Sequence, residues 1–203
     1  SGDQIWVAKG TYKPTTGTDR AIPFNLKTGV AIYGGFSGTE TELTQRDPAA
    51  NVSTLSGDIG VAGNKSDNSY HVVNGFEVNA VVLDGFTISG GNANVPSVRA
   101  NSIGAGMNLY KTEGTLNQLI FTNNYAVQLG GGSAINRSTP VMSNITYLNN
   151  RSGNTGGGLA LYLSDLTITN ARFENNSADV NGGGMYNEEC DPTLNQVTFI
   201  GNT

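Results

Sequence analysis

Apolar and polar residues alternate in short runs through the C-terminal half of the chain, and the runs return with a 26-residue period. Alternation at every second position predicts β-strands, because successive side chains of a strand point to opposite faces. No segment shows a sustained helical periodicity with helix caps. Three apolar columns share the spacing: Leu116, Met142, Ile168 and Leu194; Leu119, Ile145, Ala171 and Val197; and Phe121, Tyr147, Phe173 and Phe199.

Two polar markers follow the same period. A glycine triplet stands at positions 130–132, 156–158 and 182–184. The triplet predicts a corner that needs a positive φ or a close approach of two backbones. The second marker predicts a ladder of side-chain amides that hydrogen-bond from one repeat to the next. It consists of Asn124, Asn150, Asn176 and Asn202.

A repeat of this length without a helix cannot bury its own apolar side, whereas stacked repeats bury one continuous core. Each coil would lie about 4.8 Å above the last, so that equivalent residues touch. We therefore predict an all-β fold, a right-handed single-stranded parallel β-helix (β-solenoid) with 26-residue coils in the C-terminal half.

One domain is predicted for residues 1–203, with regular coils in 82–203 and irregular, wider coils in 1–81. The segment 82–91 matches 115–124 at a spacing wider than the regular period, which predicts a loop insertion near 92–102. The chain opens within one strand-like run and stops just after another. We therefore expect it to be a fragment of a longer chain.

Composition excludes several classes of partner and site. Charged residues make up only 13%, the net charge is −5, and the basic residues are scattered singly, which argues against nucleic acid. The single cysteine, Cys190, supports neither an internal disulfide nor a zinc site. No apolar run approaches the roughly 20 residues of a membrane span.

The best carboxylate candidates for catalysis lie in one column of the repeat. Asp165 and Asp191 are one period apart, and Glu113 stands two periods before Asp165 with Thr139 between them. Glycoside hydrolysis needs two carboxylates on either side of the scissile bond, which stacked coils could supply. The alternative is that these residues form turns, because Asp is a common turn residue and no further catalytic group is visible around them.

Two other candidate sites would bind a sugar or a calcium ion without catalysing a reaction. Tyr110 and Tyr162 share a column, interrupted by Asn136, and could form an aromatic platform for sugar rings. Asp58 and Asp67 flank a loop that could hold calcium, which prefers oxygen ligands. The alternatives are ordinary surface tyrosines and a loop without metal. No other cofactor is expected.

The regular coils contain the segments Phe121-Thr-Asn-Asn124, Gly130-Gly-Gly-Ser-Ala-Ile135 and Gly156-Gly-Gly-Leu-Ala-Leu161. These segments resemble the polymorphic outer membrane protein repeats, which pair Phe-x-x-Asn with Gly-Gly-Ala-hydrophobic. The N-terminal part contains Gly34-Gly-Phe-Ser-Gly-Thr-Glu40 and Leu83-Asp-Gly-Phe-Thr-Ile88, and it is similar to secreted bacterial β-helix proteins of the pectate-lyase-like superfamily. The resemblance implies a right-handed parallel β-helix on an exported protein, often anchored to the cell surface by a separate C-terminal module.

We therefore expect a non-catalytic extracellular or cell-surface protein that acts as an adhesin, a stalk or a self-associating structural element. Expected partners are surface glycans, host or matrix proteins, or further copies joined end to end or laterally. The alternative is a carbohydrate-binding or polysaccharide-degrading module of the lyase or glycosidase type.

Overall fold

The computed structural model describes residues 2–203 and confirms the parallel β-helix. Each complete coil adds one strand position to each of three parallel sheets, which we call A, B and C. Sheet A contains β1 (Asp3–Ala8), β2 (Gly10–Tyr12), β4 (Val30–Phe36), β5 (Ser53–Ser56), β7 (Val81–Ser89), β10 (Gly114–Thr122), β13 (Val141–Leu148), β16 (Thr167–Glu174) and β19 (Thr193–Ile200). Sheet B contains β3 (Phe24–Asn25), β6 (Val73–Phe76), β9 (Met107–Tyr110), β12 (Ser133–Asn136), β15 (Leu159–Tyr162) and β18 (Met185–Glu188). Sheet C contains β8 (Asn92–Ala93), β11 (Tyr125–Ala126), β14 (Arg151–Ser152) and β17 (Ser177–Ala178). Short 3-10 helices occupy Leu43–Gln45, Lys65–Asp67 and Arg99–Asn101.

The strand register follows the 26-residue period. Leu116 pairs with Met142, and Met142 pairs with Ile168, so the apolar columns lie directly above one another. Between β7 and β10, paired residues are further apart in the sequence than the 26-residue period, and this wider spacing continues as far as Ala93, which pairs with Ala126. The regular period returns at Ile103, which forms a β-bridge with Leu129. The extra residues therefore leave the stack between these two positions, in a loop that contains the third 3-10 helix.

An aromatic column runs through the core. Phe121, Tyr147, Phe173 and Phe199 stack with ring centroids 4.8 Å apart at each step and interplanar angles of 10–12°. Aromatic pairs contribute about 0.5–1.5 kcal/mol beyond their buried area. The one hydroxyl in this column, on Tyr147, is satisfied by Ser133 at 2.6 Å. Burial raises the pKa of Tyr147, which keeps its phenol neutral.

The asparagine column forms a continuous ladder at the turn between sheets A and C. The Asn150 Nδ2 donates to Asn176 Oδ1 at 3.0 Å and to the carbonyl of Phe121 at 2.8 Å. Its Oδ1 accepts from both the backbone N–H and the Nδ2 of Asn124. Asn176 and Asn202 repeat this arrangement one coil later. The amides at this buried corner are therefore paired, as burial requires.

A hydroxyl column, made of Thr112, Ser138 and Ser164, satisfies the backbone after each strand of sheet B. The Thr112 N–H donates to Ser138 Oγ at 2.9 Å, and the Ser138 N–H donates to Ser164 Oγ at 3.1 Å. Cys190 occupies the next position of this column, one period after Ser164. The lone cysteine thus stands where the two preceding coils have a serine.

Corners are made by columns of residues with left-handed backbone conformation. The glycine triplets begin with Gly130, Gly156 and Gly182, at φ between 63° and 67°. A Cβ on the following Gly131 would collide with the carbonyl oxygen of Arg151, so the predicted need for glycine is confirmed. Other corners use non-glycine residues with φ between 47° and 55°: Lys111, Arg137, Leu163 and Glu189; and Asn123, Asn149 and Asn175. A further column with φ between 48° and 55° lies inside the strands of sheet A, at Gln118, Asn144, Asn170 and Gln196.

The early coils are wider because two segments leave the stack between strands. Residues 37–52 separate β4 from β5, and both of these strands pair with β7. Residues 57–72 separate β5 from β6. Arg46 ties the first segment to sheet A through a largely buried ion pair with Asp84 at 2.8 Å.

Candidate functional site

The outer face of sheet B carries an aromatic surface. Phe76, Tyr110, Asn136, Tyr162 and Glu188 form one outward column, as the strand register shows. The structure thus places the two sequence-predicted tyrosines on one face, two coils apart. Phe76 adds a third ring, which stacks on Tyr110 at 5.2 Å between centroids and is 61% exposed.

A parallel column completes this surface. Ala134, Ala160 and Tyr186 occupy equivalent positions of β12, β15 and β18. The two small alanines leave a shallow depression that Tyr162 and Tyr186 border. We call the four exposed or partly exposed rings, Phe76, Tyr110, Tyr162 and Tyr186, the aromatic face.

Sequence reasoning missed two members of the aromatic face. Phe76 precedes Tyr110 by more than one regular period because the insertion after Ala93 lengthens that coil, so a search at the 26-residue period does not find it. Tyr186 lies in the neighbouring column, one coil after Ala160, where no aromatic residue precedes it. Phe76 is recognised as a member only from the pairing of β6 with β9.

One ion pair lies at the edge of the aromatic face. The Lys111 Nζ lies 5.3 Å from the centre of the Tyr110 ring and 3.0 Å from Glu77 Oε1. The hydrogen bond to Glu77 raises the pKa of Lys111. This pair is exposed, so it shapes the rim of the face rather than stabilising the fold.

The carboxylate column consists of exposed turn residues. Asp165 Oδ1 accepts the backbone N–H of Asp191 at 2.7 Å, so this carboxylate caps the turn one coil further on. Glu113 is also exposed, and its backbone N–H donates to the carbonyl of Val78. These contacts give the column the turn-forming role that Asp commonly has.

The loop with Asp58 and Asp67 is held by its own backbone. Asp58 Oδ1 accepts the N–H of Gly63 at 3.0 Å, and Asp67 Oδ2 accepts the N–H of Val61 at 2.9 Å. Across residues 2–203, no group of three or more His, Cys, Asp or Glu side chains that could hold a metal ion is found. Each of the two carboxylates caps a backbone N–H of the loop.

His71 joins the insertion after Ala93 to the stack. Its Nδ1 lies 3.0 Å from the carbonyl oxygen of Gly104, and its Nε2 lies beside the carbonyl oxygen of Ala100. Loss of solvation lowers the pKa of the His71 ring below its ordinary value. Both contacts are to backbone, which gives the histidine a structural role.

Comparisons of the chain with protein-family models, with curated proteins and with solved structures find no match. Within the described range, no helix has the length and apolarity needed to cross a membrane. The functional interpretation therefore rests on the geometry of the exposed faces.

Proposed function

We propose that this chain is a non-catalytic extracellular or cell-surface β-helix that acts as an adhesin and binds surface glycans through its aromatic face. The observation that carries the proposal is the alignment of Phe76, Tyr110, Tyr162 and Tyr186 on the outer side of sheet B. Aromatic rings pack against the apolar faces of sugar rings, as the sequence interpretation of Tyr110 and Tyr162 expects.

The backbone beneath the aromatic face favours binding without a large ordering cost. β9, β12, β15 and β18 pair in register, and the inward residues Leu109, Ile135 and Leu161 are almost fully buried. Rings held on such strands are already positioned before a ligand arrives, which lowers the entropy lost on binding.

Carboxylate geometry supports a binding role over a catalytic one. Asp165 holds the backbone of Asp191, and Thr139 separates its position from that of Glu113. A glycosidase needs an acid and a second carboxylate that both face the scissile bond. A role as a stalk, and end-to-end or lateral self-association of the chain, remain predictions made from the sequence.

A glycan array tests the proposal. We expect the wild-type protein to bind a subset of glycans, and Tyr110→Ala/Tyr162→Ala to weaken that binding about fivefold or more, because each lost ring contact contributes about 0.5–1.5 kcal/mol. Tyr12→Ala removes a partly exposed ring elsewhere and serves as the control.

Unchanged binding by the double variant would contradict the proposal. Release of reducing ends from a polysaccharide panel tests the enzymatic alternative with the same protein. Activity that disappears in Asp165→Asn and Asp191→Asn would replace the adhesin interpretation with a catalytic one.

A further inference from the structure

A polar groove runs along the turn between sheets A and C, on a different side of the β-helix from the aromatic face. Its volume is about 730 Å³, within the range of small-molecule sites. Its floor is the column of Asn123, Asn149 and Asn175, whose backbone conformation is left-handed. The outward residues Tyr125 and Arg151 of sheet C form one side. The loop 57–68 forms the wall at one end. We call this feature the corner groove.

The corner groove follows from the local backbone. Asn123, Asn149 and Asn175 have φ between 52° and 55°, a conformation that Asn tolerates better than most residues. Each turns the chain from a strand of sheet A into a strand of sheet C, while the next asparagine points inward into the ladder. The repeat therefore places one exposed amide in the groove at each coil, about 4.8 Å apart.

The wall of the corner groove is fixed to its floor. Asn92 Nδ2 donates to the carbonyl of Lys65 at 2.6 Å, and Asn68 Nδ2 donates to the carbonyl of Gly90 at 2.6 Å. Asp58 and Asp67 hold the loop itself through the backbone bonds described above. The groove is thus preformed, which reduces the entropy lost when a ligand binds.

The side chains in the corner groove offer mixed hydrogen bonding. The exposed amides of Asn149 and Asn175 make no side-chain hydrogen bond to any other part of the chain that the structure describes. Each amide carries two donor hydrogens and one acceptor oxygen. A sugar hydroxyl both donates and accepts, so neighbouring hydroxyls match this arrangement.

Charge in the corner groove argues against an ionic ligand. Arg151 is neutralised by Asp179 at 3.0 Å, and its guanidinium lies 5.6 Å from the centre of the Tyr125 ring. Lys65 and Asp58, of opposite charge, both line the wall. A polyanion would need several unpaired cations, whereas Lys65 is the one lining cation that makes no ion pair among residues 2–203. A divalent metal favours a site with more than one carboxylate, and Asp58 is the one carboxylate among the described lining residues.

We propose that the corner groove binds a neutral glycan chain that lies along the stack of coils and is hydrogen-bonded by Asn149 and Asn175. This site is separate from the aromatic face and requires neither Tyr110 nor Tyr162. Because the amides repeat at every coil, the site recognises an oligosaccharide rather than a single sugar.

Titration calorimetry with neutral oligosaccharides of two to six sugars, drawn from glucan, mannan, xylan and galactan series, tests the proposal on the whole chain. The test variant is Asn149→Gly/Asn175→Gly, because glycine keeps the left-handed backbone and removes only the amides. The control is Asn144→Gly/Asn170→Gly, which removes two amides at φ of 53–55° on sheet A together with the hydrogen bonds that they make to Asn117 and to each other. Thermal melting verifies that each variant is folded.

We expect wild-type affinity to rise with oligosaccharide length and to fall at least tenfold in the groove variant. The Asn144→Gly/Asn170→Gly control should bind as wild type does, and Tyr110→Ala/Tyr162→Ala should retain the binding that the groove variant loses. Equal binding by wild type and groove variant overturns the groove site. Loss confined to the tyrosine variant also overturns it, but leaves the proposed function intact. If no neutral oligosaccharide binds, the groove proposal fails, whereas the aromatic face is judged separately by the array with charged glycans included.

Discussion

The coils from β10 onward and the coils before it are held together in different ways. In the later coils, the same side chain repeats the same hydrogen bond at each step, as Asn124, Asn150 and Asn176 do. In the earlier coils, individual arginines join segments that are far apart in the sequence. Arg20 donates to the carbonyls of Asn68 and Asn92 at 2.6 and 2.8 Å. Arg46 donates to the carbonyl of Gly34 and pairs with Asp84.

This difference reflects what each region must satisfy. A coil without insertions leaves the same backbone groups unpaired at each turn, so one residue type at one position solves the problem for every coil. The segments 37–52 and 57–72 leave irregular groups unpaired, and a guanidinium with five donors can satisfy several of them together. The same segments build structures outside the repeat, including the wall of the corner groove. Irregular coils therefore carry features on which the proposed binding depends.

The largest effect should come from Asn150→Ala, which tests the ladder in the regular coils. The change removes the bonds that Asn150 Nδ2 donates to the carbonyl of Phe121 and to Asn176, and those that its Oδ1 accepts from Asn124. The buried carbonyl of Phe121 and the backbone N–H of Asn124 then lose their partners. Each unpaired buried group costs about 1–3 kcal/mol, so we expect a loss of roughly 4 kcal/mol in the free energy of unfolding by urea.

The adjacent Asn149→Ala provides the control for this experiment. That residue is exposed and its amide makes no side-chain hydrogen bond within residues 2–203, so only the left-handed backbone is strained, at about 1 kcal/mol. Equal losses in the two variants would show that the ladder does not stabilise the stack.

A smaller effect should come from Arg46→Met, which tests the single contacts of the early coils. The substitution keeps much of the side-chain length but leaves the carboxylate of Asp84 largely buried without its cation. Breaking a buried pair in this way costs about 3 kcal/mol. Urea unfolding measures the loss, and Arg46→Met/Asp84→Asn should recover part of it because the uncompensated charge is gone.

Arg151→Met is the matched control, since its ion pair with Asp179 is half exposed and should contribute less than about 1 kcal/mol. A loss at Arg46 no larger than at Arg151 would mean that segment 37–52 is held mainly by its backbone.

The same contrast explains what could be predicted from the sequence. The regular period places Phe121 above Tyr147 and Asn124 above Asn150, because a stacked coil converts sequence spacing directly into contact. Nothing in the local pattern links Arg46 with Asp84, since that contact depends on how a long insertion folds back. Phe76 was missed because an insertion also displaces it from the period. Asn149 was overlooked because its role depends on an outward turn that only the backbone conformation reveals.

The smallest effect should come from Cys190→Ser, which tests whether the hydroxyl column extends to the last complete coil. Cys190 follows Ser164 by one period, and a thiol is a weaker hydrogen-bond acceptor than a hydroxyl. Serine there can accept the N–H of Ser164 as Ser164 accepts that of Ser138, so we expect a gain of about 0.5 kcal/mol in urea unfolding. Ser138→Cys makes the reverse change inside the stack and should lower stability by about 1 kcal/mol. If both changes lower stability, the sulfur of Cys190 packs in a way that a hydroxyl cannot replace, and the regular coils are less uniform than their sequence period indicates.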